Sequence, residues 1–161
     1  MPFPATAVAN ELLDRASAEG LSLTQINIQK LVYFAHGWNL GWSANPLILD
    51  PIEAWQYGPV VRNLYNQFRR FGSSPITGKA VEFRIDSNGK IGTTCPTLED
   101  AYSKSVVGAV WNQYGRLQPF KLVELTHAPG SPWEAAWNAK KALIENEDIR
   151  RYFSALAQPR V

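Results

Sequence analysis

Two histidines and a single cysteine are the side chains of this sequence best suited to catalysis or metal binding. His36 and His127 lie far apart in the chain, and a zinc site needs four ligands. Cys95 cannot form an internal disulfide, and there is no C-x-x-C spacing. A hydrolase would need all three side chains to converge within hydrogen-bond reach. We instead expect structural roles, with His127 at a helix end whose dipole favours its proton. The sequence therefore predicts neither an enzyme nor a metal or cofactor site.

Three arginines provide the second candidate chemistry. Arg62, Arg69 and Arg70 are spaced i, i+7 and i+8, so a helix would place them on one strip beside Tyr65. Such a strip suits an ordinary solvated helix face, a protein interface rich in Arg and aromatic residues, or RNA and single-stranded DNA. The chain has 16 Lys+Arg against 14 Asp+Glu, a net charge of +2. Because nucleic-acid affinity is largely electrostatic, this small excess makes nucleic acid the least favoured of the three.

Length and composition indicate one folded domain over residues 1–161. The chain is 45% hydrophobic and 12% aromatic, with six Trp, which is enough apolar area for a sizeable core. The N-terminus lacks the pattern of a signal peptide. The most apolar region, residues 26–42, is interrupted by polar side chains and does not read as a membrane span. We expect a soluble, cytoplasmic protein that does not contact a membrane.

Hydrophobic periodicity predicts a mainly α fold, a single-domain bundle of six or seven helices with one inserted β-hairpin. The second helix has apolar residues on more than one side, so we expect it to be central. The expected helices cover about residues 4–18, 24–42, 59–72, 97–114, 119–126, 132–144 and 146 onward.

Local signals set the ends of these elements. Pro59, after Gly58, is expected to open the third helix as its first residue. Ser131 and Glu134 form a capping box, and Asn146 is the expected cap of the last helix. Residues 80–95 alternate between apolar and polar side chains around a turn at Asn88, which predicts the hairpin. Residues 44–56 are expected to form turns with short extended pieces.

Five ordered blocks carry a further pattern. They are residues 29–40, residues 46–47, residues 52–61 with Tyr65, residues 122–127 with 132–133, and residues 149–153. Together they closely resemble the Panacea domain, also called SocA-like, whose members are often labelled phage-associated proteins. The resemblance covers about residues 6–156, and residues 53–60 are its most specific part.

The resemblance implies an antitoxin module of a bacterial or prophage toxin–antitoxin system, which binds and neutralises a cognate toxin protein. Some relatives deliver the toxin to a protease, so a protease is a further implied partner. No catalytic residues carry over. A nucleic-acid-binding regulator using the Arg62, Arg69 and Arg70 strip remains the alternative.

Within the 53–60 block, two roles are expected. Trp55, Gly58 and Pro59 fix the joint between loop and helix, and His127 with Trp133 buttresses this joint from the C-terminal half. Tyr57, Arg62 and Tyr65 are expected to reach solvent and a partner. The candidate partner-binding residues are therefore Trp55, Tyr57, Arg62, Tyr65, Arg69 and Arg70.

Overall fold

The computed structural model describes residues 1–158 and is mainly helical. Its helices are α1 (Ala5–Ala18), α2 (Gln25–Ser43), α3 (Arg62–Phe68), α4 (Ala101–Tyr114), α5 (Pro119–Thr126), α6 (Pro132–Asn138) and α7 (Asn146–Ala157), with a 3-10 turn at Arg69–Phe71. The strands are β1 (Ile52–Trp55), β2 (Gly58–Val60), β3 (Glu82–Ile85), β4 (Ile91–Thr94) and β5 (Leu143–Ile144). None of the helices in this part of the chain has the length and hydropathy required to cross a bilayer.

Helix α2 lies at the centre of the fold, as its apolar pattern predicted. It begins at a capping box in which the Thr24 hydroxyl accepts from the Asn27 amide and the Asn27 side chain accepts from the Thr24 amide. Nearly every residue from Asn27 to Leu40 is buried, because α1, α3, α4, α5, α7 and β2 all pack against it. The buried apolar side chains of these elements form one cluster.

Two glycines let α7 approach α2 closely. A Cβ added to Gly37 would lie 2.3 Å from Cε2 of Phe153, and one added to Gly41 would lie 2.9 Å from the Phe153 backbone carbon. Phe153 is fully buried there and makes edge-to-face contacts with Tyr33, Phe34 and Trp38. The close approach of these two helices therefore depends on the absence of side chains at residues 37 and 41.

Two antiparallel sheets accompany the helices. The expected hairpin is present as β3 and β4, with Ile85 opposite Ile91. A second sheet, with strand order β2-β1-β5, was not expected. In it Glu53 has Val60 on one side and Leu143 on the other.

The prediction that Pro59 opens the third helix was wrong. Gly58–Val60 is a strand paired with β1, and α3 begins only at Arg62. Pro59 lies opposite Ala54 in the ladder. The edge of β2 that β1 does not cover is hydrogen-bonded by side chains of α2. A sequence pattern local to the proline cannot predict these long-range bonds.

Three other helix ends differ from the sequence-based expectation. Helix α4 starts at Ala101, because Asp100 is itself the cap and accepts from the Ser103 amide. Helix α6 begins at the expected Ser131 cap but stops at Asn138, so that the chain can return as β5 beside β1. Asn146 does not cap α7; Glu145 precedes the helix, and the Asn146 side chain is bound to His36.

We predict that Gly41→Ala destabilises the protein by about 2 kcal/mol, because the new methyl group collides with the α7 backbone and overpacking of this kind costs 1–3 kcal/mol. Gly108→Ala in α4 is the matched control. The nearest atoms to its Cβ would be those of the Arg15 guanidinium, at 3.0 Å, which is the end of a flexible side chain and not backbone. Since alanine favours helix by about 1 kcal/mol over glycine, that control should be neutral or stabilising. Urea unfolding of the two variants measures the difference, and equal midpoints would contradict the prediction.

Candidate protein-binding site

The site is built on the two-residue turn between β1 and β2. Trp55 and Gly58 face each other at the end of the ladder, and Gln56 and Tyr57 form the turn. Gly58 has a φ of +115°, and a Cβ there would lie 2.8 Å from the Thr126 hydroxyl and 3.0 Å from Cε of Lys30. Both the backbone conformation and the lack of space therefore require glycine at this position.

Two neighbouring polar residues of α2 hold the backbone after this turn. The Gln29 side-chain amide donates to the Val61 carbonyl at 3.0 Å, and its oxygen accepts from the Val61 amide at 2.8 Å. The Lys30 ammonium donates to the Pro59 carbonyl at 3.0 Å. Both side chains are buried, so each needs such a partner. Gln29 in effect pairs with the backbone as a neighbouring strand would.

Trp133 contacts the turn from the other side, and His127 packs on Trp133. The Trp133 indole N–H donates to the Trp55 carbonyl at 2.6 Å. The His127 ring stacks on the Trp133 ring, with centroids 3.7 Å apart and an interplanar angle of 4°, and Trp137 stacks on Trp133 at 5.6 Å. These contacts place both residues against the joint, and their role as its buttress stays a prediction.

The charge states of the two basic groups in this joint are shifted by their surroundings. Burial lowers the pKa of Lys30 to about 7. Burial and the neighbouring Lys30 also lower the pKa of His127, against a hydrogen bond with the Tyr57 backbone. His127 follows the last residue of α5, but burial and the Lys30 charge lower its pKa, which is the opposite direction to the effect expected of a helix end.

The outer side of the joint presents aromatic and charged side chains. We call Trp55, Tyr57, Arg62 and Tyr65 the β1–β2 surface. Tyr57 is 67% exposed at the tip of the turn. Trp55 packs edge-to-face on Tyr65, with ring centroids 5.0 Å apart, and the Arg62 guanidinium lies 5.1 Å from the Trp55 ring centroid.

Glu53 fixes Arg62 in this arrangement. Its carboxylate accepts from Nε of Arg62 at 2.9 Å and from Nη2 at 2.8 Å, and it also accepts from the Trp55 indole at 3.3 Å. The Arg62 hydrogen bond is the main cause that lowers the pKa of Glu53. Arg62 is therefore a paired cation.

The remaining arginines of the expected strip have different surroundings. Arg69 and Arg70 belong to the 3-10 turn after α3, and both are exposed. The Arg70 guanidinium lies 4.8 Å from the Phe71 ring centroid and beside Gly78. Of the six candidate partner-binding residues, the structure brings Trp55, Arg62 and Tyr65 into contact and places Tyr57 at the tip of the adjoining turn.

The side chains considered for catalysis have different surroundings. Nδ1 of His36 accepts from the Leu47 and Ile48 amides at 3.3 Å, so Nε2 carries the hydrogen and donates to Asn146 at 2.8 Å. Burial lowers the pKa of this histidine. Cys95 is exposed beyond β4. Across residues 1–158, no three His, Cys, Asp or Glu side chains gather as a metal site would require.

Comparison with known proteins identifies the family of this arrangement. The family model described as "Antitoxin SocA-like, Panacea domain" matches residues 28–134. Antitoxin SocA of Caulobacter vibrioides (strain NA1000 / CB15N) is 36% identical over 134 residues, which is 83% of this chain and 70% of that protein. This chain belongs to the SocA-like Panacea domain family. No solved structure matches it.

The Panacea match contains the whole joint, from Gln29 and Lys30 to His127 and Trp133. Sequence reasoning had identified the aromatic residues of this joint but not the polar residues of α2 that hold it. The available signal was a Gln-Lys pair in the middle of an apolar helix. Glu53 was missed as well, because its partner Arg62 lies nine residues away across the turn.

We predict that Lys30→Met removes a pH dependence of stability. The folded-state pKa of Lys30 is about 7, below its ordinary value of 10.5. Between these pH values the unfolded chain holds a proton that the folded protein has released, so stability rises with pH, by up to about 1.4 kcal/mol per pH unit. Below about pH 7 both states hold the proton, and the contribution is constant.

Urea unfolding between about pH 7 and pH 9 tests this linkage. The difference in unfolding free energy between wild type and Lys30→Met should grow with pH in favour of the wild type. The same change at the exposed Lys104 is the control and should leave the slope unchanged. If the unfolding free energies of wild type and Lys30→Met change with pH in parallel, burial does not lower the pKa of Lys30.

Proposed function

We propose that this chain is an antitoxin that neutralises a cognate toxin protein by forming a direct complex through the β1–β2 surface. Its membership of the SocA-like Panacea domain family carries the proposal. The geometry that supports it is an exposed aromatic side chain, Tyr57, on a turn whose backbone is held from both sides.

The composition of this surface suits protein recognition. Tyrosine, tryptophan and arginine are the residues most often found as energetic anchors in interfaces. Trp55, Tyr57, Arg62 and Tyr65 supply these types side by side. Leu143 in the neighbouring strand and Trp137 in α6 are also exposed, and they extend the apolar area toward the roughly 1,600 Å² that a standard-size complex buries.

The rigidity of the turn favours binding. A loop that must become ordered on binding loses affinity, by about 0.5–1.5 kcal/mol for each side chain that is immobilised. Here the carbonyls of Trp55 and Pro59 and both polar groups of Val61 already have side-chain partners. The toxin would therefore meet a surface that is already in its bound shape.

Complex formation alone suffices for neutralisation, because the inhibited fraction depends on affinity and concentration. An adaptor that delivers the toxin to a protease would use the same first step. The two roles differ in the amount of toxin that remains in the cell. A neutraliser leaves the toxin level unchanged, whereas an adaptor lowers it in a protease-dependent manner.

Co-expression tests the function. The product of the adjacent reading frame is expressed with and without this chain, and growth, co-purification and the level of that product are measured. Growth arrest that this chain relieves, together with a co-purified complex, is the expected result. Relief without any physical complex would contradict the proposed mechanism.

We predict that Tyr57→Ala weakens binding of that product at least about tenfold, which corresponds to about 1.4 kcal/mol. The reason is the loss of an exposed aromatic ring at the tip of the surface. The melting temperature should stay unchanged, since the ring is mostly in solvent. Calorimetry or interferometry on the purified pair provides the affinity.

Tyr102→Ala is the matched control. This tyrosine is 52% exposed at the start of α4 and lies outside the β1–β2 surface. Its removal should leave the affinity unchanged. If Tyr102→Ala weakens binding and Tyr57→Ala does not, the toxin interface lies on another face.

A further inference from the structure

The hairpin formed by β3 and β4, which we call the β3–β4 arm, leaves an apolar face uncovered. Phe83, Ile85 and Ile91 share one face, because Ile85 pairs with Ile91 and Phe83 with Thr93. They are 79%, 72% and 68% exposed. A two-stranded hairpin is marginally stable alone in water, and exposed apolar patches commonly mark interaction sites.

The base of the arm, in contrast, is firmly attached to the body. The fully buried Asn10 side chain donates to the carbonyls of Ala80 and Pro96, one on each leg of the arm, and accepts from the Ala80 amide. Gln67 of α3 bridges the amide and carbonyl of Val81. The Glu82 carboxylate accepts from the Thr6 hydroxyl. These bonds hold the arm in a definite direction away from the body.

The hydrogen-bond pattern shows which backbone groups of β3 are free. The Asp86 amide donates to the Lys90 carbonyl next to the turn. Since hydrogen-bonded pairs alternate along an antiparallel ladder, residues 84 and 82 also point toward β4. The amides and carbonyls of Phe83 and Ile85 therefore point to the outer edge. This edge continues from Val81, where Gln67 already pairs with it as a strand would.

We propose that β3 pairs antiparallel with β3 of a second copy of this chain, with Ile85 opposite Ile85, so that two arms form a four-stranded sheet. This arrangement is two-fold symmetric and closes on itself. It pairs the free amide and carbonyl of Ile85 with those of Ile85 in the second copy, and it brings the exposed apolar side chains of the two arms next to each other.

The charged side chains of β3 favour the register with Ile85 opposite Ile85. With Ile85 at the two-fold axis, Arg84 lies opposite Asp86 of the second copy, twice. With Arg84 at the axis, the two arginines would oppose each other and Glu82 would oppose Asp86, and directly opposed like charges destabilise a sheet. With Phe83 at the axis, Ile85 of the second copy would need the Val81 backbone that Gln67 occupies.

A groove beside β3 fits the turn of the second arm. In this register, Ser87 and Asn88 of the second copy lie beside Phe83 and Glu82. A groove of about 570 Å³, lined by both polar and apolar side chains, opens there. The residues that line it are Asn63, Asn66, Gln67, Arg70, Val81, Glu82 and Phe83. The turn Ser87-Asn88-Gly89 is polar, and the carboxylate of Asp86 precedes it, which complements the Arg70 side of the groove.

Space permits this pairing. In the proposed register, the Val81 residues of the two copies are offset by eight positions along the strand direction. At about 3.3 Å per residue, this offset is roughly 26 Å. The two bodies therefore lie at opposite ends of the sheet. The outer edge of β4 suits this pairing less well, because Gly92 lies in its middle and its charged neighbour, Lys90, has no opposite charge to face.

Sedimentation of the purified protein is the first test. We expect a monomer–dimer equilibrium between about 1 and 300 µM, since the paired area is at the low end for specific interfaces. Ile85→Pro removes one outward amide and should weaken the dimer at least about tenfold. Thr93→Pro, which removes an outward amide of β4, is the matched control and should leave the dimer intact. A wild type that stays monomeric throughout would overturn the proposal.

Arg84→Glu provides a second variant that leaves the backbone unchanged. It places glutamate opposite Asp86 of the second copy, so the dimer should weaken at least about tenfold even if Ile85→Pro impairs folding. An unchanged dimer in Arg84→Glu would exclude this register.

Cross-linking tests the register directly. In a Cys95→Ser background, Ile85→Cys places two thiols at a hydrogen-bonded pair, where the Cα atoms are about 5.5 Å apart and within disulfide reach. Phe83→Cys is the control, because the two cysteines would be offset by four residues, or about 13 Å. Mild oxidation should yield a covalent dimer for Ile85→Cys alone. Equal cross-linking of both variants would indicate non-specific association and would overturn the proposal.

Discussion

Two adjacent polar side chains in the middle of a buried helix constrain much of this fold. Gln29 and Lys30 are enclosed with the rest of α2, and burying an amide or an ammonium without a partner costs several kcal/mol. Their partners must be backbone groups that no helix or ladder already uses. The uncovered edge of β2 supplies them, at Pro59 and Val61. The strand at residues 58–60 and the two polar residues of α2 therefore require each other.

This constraint explains both the success and the failure of the sequence-based prediction. The starts of α2 at Thr24 and of α6 at Ser131 are set by side chains within three residues of the cap, so local patterns located them. Pro59 also carries a local helix-start signal, but it pairs with Ala54 in the ladder and its carbonyl accepts from Lys30, 29 positions earlier in the chain. The early end of α6 has a similar cause, because Leu143 is drawn into the sheet beside Glu53.

The candidate site was predictable in its residue types and less so in its electrostatics. Aromatic and arginine residues of the 53–65 segment do lie together, and Trp133 does contact this segment. The protonation of His127 was not predictable, because its pKa reflects burial and a lysine from α2 that is distant in sequence. The pairing of Arg62 with Glu53 likewise depends on the turn that brings β1 beside the start of α3.

The β1–β2 surface and the β3–β4 arm differ in how firmly the rest of the protein holds their backbone. Around Tyr57, every few residues of backbone are bound by a side chain from α2 or α6, so a partner can bind there without first ordering the chain. The β3–β4 arm is fixed at its base, by Asn10, Gln67 and Thr6, and the outer edge of β3 lacks hydrogen-bond partners beyond Val81. A surface of the first kind recognises a partner by its shape. An edge of the second kind recognises a strand, because backbone hydrogen bonds are what it lacks.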